Sequence, residues 1–250
     1  MDKETLSNYG WIVICVLVLA VMIALASPFG EYISDAVKST TEGLFDVEQG
    51  ALSAAGIDIS DQMFVGNDVV NKDILKGHTA VFYGDSITAG LKTNNISFAN
   101  YITEENSMAL YNFGVSGYTI QHMKAKMISE ESLAVLQTLS KDDYVIFAGF
   151  YNSTNSDIVS SLEDIKIDFE NTGCKAKLGF VLLPTPPKLA DKESRIREKW
   201  GSFERKCSEY NIPCINLIDL PTSFTSDDLH QDENGQRLLA TKINTWMLTF

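Results

Sequence analysis

VFYGDSITAG occupies residues 81–90. Its first residues belong to an apolar run, TAVFYG (79–84), that ends in glycine, and an aspartate and a serine follow at once. Strands buried on both faces of a parallel sheet read this way, as β-branched and aromatic runs closed by turn formers. Four more runs lie downstream: MALYNFG (108–114), DYVIFAG (143–149), AKLGFVLLP (176–184) and PCINLID (213–219). Between them, helical patterns are read at 98–105, 119–139, 156–171 and 188–210, and NGQRLLATKINTWML (234–248) closes the chain as an amphipathic helix. Such alternation predicts an α/β fold, a three-layer sandwich around a five-stranded parallel sheet. Ligands bind these sheets outside the carboxyl ends of the strands. Four of the runs end in, or lead into, loops with polar equipment: Gly84-Asp85-Ser86, Gly114 to Gly117, Gly149 to Asn152, and the stretch after Ile218 that reaches His230.

Ser86 follows Gly84, a residue with access to backbone angles that others avoid. SITAGLK (86–92) reads as the opening of a helix, which would place free N–H groups beside the serine oxygen. Taken alone, such a serine is as readily a helix cap. A serine hydroxyl needs a base within hydrogen-bond reach to act as a nucleophile, and the chain has three histidines. His78 precedes the first strand, at the opposite end of the sheet. His122 falls in a helix after the second strand. His230 lies in TSDDLHQDENGQRLLA (225–240), three residues after Asp227. A carboxylate there could accept the imidazole Nδ1–H, fix the tautomer and stabilise the imidazolium.

These stretches resemble the SGNH/GDSL family of serine esterases and lipases. GDS (84–86) matches the family's first block, NFGVSGYT (112–119) its second and SDDLHQDENGQRLLA (226–240) its last, and the likeness covers residues 78–250. The resemblance implies a flavodoxin-like SGNH hydrolase fold. It implies Ser86 as nucleophile, His230 as base and Asp227 as its partner. It also implies an oxyanion hole formed by the Ser86 and Gly117 N–H groups and an asparagine side chain. The third block departs from the family. Where Gly-x-Asn-Asp is usual, this chain has FAGFYNSTN (147–155), so Asn152 comes one residue late and no aspartate follows. Asn152 is taken as the donor; Asn155 and a site in which Tyr151 fills the slot are the alternatives. The implied reaction is ester hydrolysis without cofactor or metal. A small-acyl ester on a cell-surface glycan is the first expectation and a lysophospholipase-like lipid ester the second. A non-catalytic surface module with a degenerate oxyanion hole is the rival. Phe150, Tyr151 and Tyr118 are read as either site lining or core.

Composition narrows the classes. Lys and Arg total 20 against 33 Asp and Glu, a net charge of −13, which argues against a nucleic-acid binder. No histidine spacing suits a metal site. Four cysteines form no CxxC pair. A Cys207–Cys214 bridge is conceivable in an exported domain but leaves Cys174 unpaired, so reduced cysteines are expected. The beginning of the chain differs from the rest. GWIVICVLVLAVMIALASPFG (10–30) carries no charge from Trp11 to Ala26 and approaches the ~20 residues that cross a bilayer. Tyr9, Trp11, Phe29 and Tyr32 flank it as interfacial aromatics do. A retained single-pass anchor over 1–30 is expected, with the domain facing outward. Cleavage after Ala24-Leu25-Ala26 is the alternative. Tyr9-Gly10 before a long apolar run also resembles a pilin helix of the tight-adherence type, which implies self-association. Residues 31–77 are read as a helical juxtamembrane segment and linker, with VGND (65–68) as a turn, and 78–250 as the folded domain.

Overall fold

The computed structural model describes residues 62–65, 68–153 and 155–249. Strands β1 (Gln62–Val65) and β2 (Asp68–Asn71) form an antiparallel pair, within the stretch read as a linker, and a 3-10 turn follows at Lys72–Leu75. Five strands make the main sheet: β3 (Thr79–Gly84), β4 (Ala109–Gly114), β5 (Tyr144–Ala148), β6 (Lys177–Leu182) and β7 (Cys214–Asn216). All neighbours are parallel and the order is β4-β3-β5-β6-β7. The expected five-stranded parallel sheet is therefore present. β7 is shorter than the apolar run suggested, three residues at the sheet edge.

Side-chain alternation along each strand builds two cores. Val81, Tyr83, Val145, Phe147, Phe180 and Leu182 face one way. They pack against α2 (Ile120–Met127), α3 (Glu130–Leu136), α4 (Asn155–Asn171) and α5 (Glu193–Glu209). Ala80, Phe82, Tyr144, Ile146, Ala148 and Val181 face the other way, against α1 (Phe98–Glu105) and α6 (Glu233–Met247). This is the three-layer sandwich, and each fully buried Phe or Val contributes about 1.5–3 kcal/mol. Tyr83 stacks on Phe147 at 4.9 Å between ring centroids, so the two central strands are locked through their aromatics as well as their backbones.

Two helical expectations change in detail. The pattern at 119–139 is two helices, because Ser129 interrupts it and caps α3 by accepting from the Ser132 N–H. The pattern at 188–210 begins as a 3-10 turn (Pro187–Lys192) before α5, since Leu189, at φ −112° and ψ 16°, leaves helical geometry within that stretch. The expected membrane helix, pilin-like segment and self-association surface over residues 1–30 lie outside the described residues, as does most of the juxtamembrane segment. Among the described residues no helix is long and apolar enough to cross a membrane.

The chain order matters for the site. From β3 the chain moves to β4 on one side, then crosses to β5 on the other side of β3. The carboxyl ends of β3 and β5 thus flank the point where the winding reverses, the crevice in which such sheets bind ligands.

Candidate active site

Ser86 stands two residues beyond β3, half-buried. The helix expected from SITAGLK does not form. Residues 86–95 make successive turns, with the Ala89 N–H bonded to Asp85 O at 3.0 Å and the Leu91 N–H to Ser86 O at 2.9 Å. Positive φ at Gly90, Lys92, Asn94 and Asn95 breaks any helical path. A helix dipole therefore does not act at Ser86. Gly84 is also required for a different reason than expected. It has no positive φ, but a Cβ there would sit 2.0 Å from Thr88 Oγ1 and 2.8 Å from the Ala148 carbonyl. The turn after Ser86 folds back onto the strand ends, and only a residue without a side chain admits it.

The histidine that meets Ser86 comes from the far end of the chain. His230 Nε2 lies 2.9 Å from Ser86 Oγ across 144 residues of sequence, and Nδ1 lies 2.7 Å from Asp227 Oδ2. With the proton on Nδ1, that nitrogen donates to the carboxylate and Nε2 is left to accept the serine hydroxyl. His230 is 7% exposed. Its loop is tightly drawn: the Thr225 N–H donates to His230 O at 2.8 Å, and an antiparallel bridge joins Phe224 to Gln231. Asp227 Oδ1 accepts from Thr225 Oγ1 at 2.8 Å and from the N–H groups of Leu229 and His230 at 2.9 and 3.0 Å. Burial pushes this carboxyl up, but the backbone and ring hydrogen bonds of His230, with those of Leu229 and Thr225, outweigh it and hold the group well below the usual carboxylate range. It is a fixed anion beside the imidazole.

Gly117 lies in the exposed turn after β4, at φ +80° with open space where a Cβ would point. Asn152 is exposed in the turn after β5, and its Nδ2 donates to the Tyr118 carbonyl at 3.1 Å. The asparagine amide thus reaches the loop that carries Gly117, with one of its two N–H groups engaged there. The side chain of Asn155 lies outside the described residues. Phe150 is core, fully buried against Phe180, Trp200 and Phe203. Tyr151 packs against both cores and its hydroxyl donates to the Pro184 carbonyl, so it does not fill a donor slot. Tyr118 is half-buried and stacks on His122 at 5.3 Å.

Two residues near the site, Asp85 and Lys199, receive no role from the sequence alone. Asp85 is 2% exposed, accepts from the Ile87 N–H at 3.0 Å and lies so close to Gly149 that a Cβ there would be 2.6 Å from its Oδ2. Burial raises its carboxyl to about 6, against the lowering effects of that N–H and of His230. Lys199, 5% exposed on α5, donates to the carbonyls of Phe150 and Ser153. A signal for it existed: Ile196, Lys199, Trp200, Phe203 and Cys207 are the buried stripe of α5, at helical spacing. Among the described residues no group of three His, Cys, Asp or Glu could hold a metal ion. Cys174, Cys207 and Cys214 are free thiols.

No protein-family model and no curated protein matches the chain. Solved structures do. A lipase/acylhydrolase from Enterococcus faecalis superposes with a TM-score of 0.56 at 21% identity, covering 69% of this chain and 96% of that one. A member of the lipolytic G-D-S-L family from Veillonella parvula gives 0.56 at 19%, covering 66% and 96%. An acetylxylan esterase from Geobacillus stearothermophilus gives 0.53 at 15%, covering 69% and 94%. At these identities the likeness establishes the fold alone, a three-layer α/β sandwich shared with these structures.

Proposed function

We propose that this chain is a serine esterase that hydrolyses carboxylic esters through an acyl-enzyme. The observation that carries the reading is the hydrogen-bonded series Ser86–His230–Asp227 at the carboxyl end of the sheet. Ser86 Oγ attacks the ester carbonyl while His230 Nε2 takes its proton. Asp227, already ionised and held by backbone N–H groups, stabilises the imidazolium and keeps the ring oriented. The tetrahedral oxyanion is met by the N–H groups of Ser86 and Gly117 and by Asn152. His230 then protonates the leaving alcohol. Water attacks the acyl-enzyme with His230 again as base, and Ser86 is regenerated.

The substrate we favour is a small-acyl ester on a glycan. Two solved structures of this fold, both variants of one Geobacillus enzyme, are named an acetylxylan esterase and an acetyl-xylooligosaccharide esterase. The lipid-ester reading rests on the lipase/acylhydrolase and lipolytic names of two others. The uncharged run from Trp11 to Ala26 supports a membrane anchor, and the domain is placed outside the cytoplasm as the usual outcome for a short N-terminal anchor. The intact mass of the mature protein tests the anchor; a chain beginning near Ser27 overturns it. For the activity, the full-length chain in detergent should hydrolyse p-nitrophenyl acetate and release acetate from acetylated xylan. Turnover of long-chain lysophospholipid with no action on acetyl esters would shift the reading to lipid. Equal rates for wild type and Ser86→Ala would remove the esterase reading altogether.

A further inference from the structure

The turn after β5 is held from beneath. The Ser153 N–H donates to the Phe150 carbonyl at 3.1 Å, closing a four-residue turn with Tyr151 and Asn152 at its corners. Both end carbonyls also accept from a single ammonium group. Lys199 Nζ is 2.7 Å from Phe150 O and donates to Ser153 O as well. The lysine comes from the middle of α5, is 5% exposed and lies with its Nζ 5.0 Å from the Trp200 ring centroid. An ammonium gives up strong hydration to be there, and hydrogen bonds must replace it. A surface lysine would serve α5 equally well, so the buried one answers to the turn.

The geometry sets the direction of the turn. The peptide plane is rigid, so a Phe150 carbonyl fixed on the ammonium turns the Tyr151 N–H the opposite way. Phe150 itself holds φ +87°, a conformation that a bulky residue keeps only when its surroundings impose it. The turn's other contacts run toward neighbouring loops. Asn152 Nδ2 meets the Tyr118 carbonyl at 3.1 Å and Ser153 Oγ accepts from the Ile120 N–H at 2.9 Å. Asn152 and the Gly117 loop are thus joined, and Lys199 is beneath the joint.

We propose that Lys199 is a positioning residue for the reaction: it clips both ends of the Phe150–Ser153 turn and so fixes where Asn152 stands relative to Gly117 and Ser86. This rests on the esterase reading above. Lys199 touches no reacting atom; it acts through the turn. Loss of the clip should cost what a displaced oxyanion donor costs, about 10²-fold in kcat, with KM changed less than about threefold.

The test uses the full-length chain, p-nitrophenyl acetate, and the variants Lys199→Met, Lys199→Gln, Asn152→Ala and the double variant Lys199→Met/Asn152→Ala, each checked for folding by circular dichroism and thermal melting. The expected result is a kcat loss in Lys199→Met, a smaller one in Lys199→Gln, which keeps a donor, and a double variant no slower than the worse single one. Such non-additivity marks a shared role that a general loss of stability would not produce. If Lys199→Met does not fold, Lys199→Gln takes its place in the cycle. An active wild type with unchanged kcat in the lysine variants overturns the inference and leaves the esterase reading intact. So does an Asn152→Ala variant with full activity, or losses that multiply in the double variant. Failure of both lysine variants to fold also overturns it, because Lys199 then serves the fold. An inactive wild type removes the esterase reading, and this inference with it.

Discussion

Two histidine–aspartate pairs sit at opposite ends of the same sheet. At the carboxyl end, His230 Nδ1 is 2.7 Å from Asp227 Oδ2 and its other nitrogen faces Ser86 Oγ. At the amino end, His78 Nδ1 is 3.9 Å from Asp143 Oδ1. That carboxylate is instead taken up by backbone, accepting from the Thr79 and Ser140 N–H groups at 2.6 Å each. The residue types are the same and the work is different. Asp143 ties the start of β3 to the start of β5, and its histidine is an accessory. Asp227 also accepts backbone N–H groups, but it keeps one oxygen for the ring. A histidine–carboxylate pair becomes a candidate base only when its second nitrogen has a proton to take.

The comparison can be broken at its strongest point. Ser86→Ala or His230→Ala should lower kcat/KM for p-nitrophenyl acetate by about 10⁴–10⁶-fold. His78→Ala should stay within about twofold of wild type. Equal losses from His78→Ala and His230→Ala would mean that the two ends of the sheet are not functionally distinct.

The aspartates should separate next. Asp227→Asn keeps an oxygen for the backbone but no longer holds the Nδ1 tautomer, and kcat should fall by about 10³–10⁴-fold with little change in melting temperature. Asp143→Asn should do the reverse, costing about 1–3 kcal/mol of stability through weakened charged hydrogen bonds while kcat is retained. Urea unfolding beside steady-state kinetics reads both. A thermally fragile but fully active Asp227→Asn would reverse the assignment.

Asn152→Ala should cost about 10²-fold in kcat, and Asn155→Ala close to nothing. A large loss confined to Asn155→Ala would move the donor to that residue and leave Asn152 as a tie to the Tyr118 carbonyl.

The smallest effect concerns pH and stability, and the signs oppose. Asp227 and Asp143 are both held below the usual carboxylate range. Their stabilisation is complete above about pH 4 and is lost as pH falls through the folded-state values. Asp85 is raised to about 6 by burial, so between its unfolded value and pH 6 the folded state binds the extra proton. Its contribution therefore falls as pH rises through that window. Asp85→Asn should flatten the stability curve between pH 4 and 6 and leave the acid limb below pH 4 unchanged. An unaltered slope between pH 4 and 6 would show that Asp85 ionises normally.

The sheet and the Ser86–His230–Asp227 set were legible for different reasons. β3 and β5 are buried on both faces, so their sequences are continuous apolar runs that no amphipathic helix would carry. β7 was overestimated because an edge strand ends where its one neighbour ends. His230 was found because only one of three histidines lay after a strand end with a carboxylate at hand. The turns after Ser86 were misread as a helix. The segment does open with one helix-like bond, Ala89 N–H to Asp85 O, and what ends it is positive φ at Gly90, Lys92, Asn94 and Asn95, three of them residues other than glycine, which the apolar pattern does not announce. Lys199 escaped because its partners are carbonyls 46 and 49 residues away. The antiparallel pair β1–β2 was missed because four-residue strands are too short for an alternating pattern to declare itself.

The most direct measurement is covalent. A fluorophosphonate probe reacts with a serine only where a base and an oxyanion site activate it. The full-length chain should take up one equivalent, mapped by peptide mass spectrometry to Ser86, with labelling abolished in Ser86→Ala, strongly slowed in His230→Ala and unchanged in His78→Ala. A chain that stays unlabelled, or is labelled elsewhere while Ser86 stays free, would contradict the account.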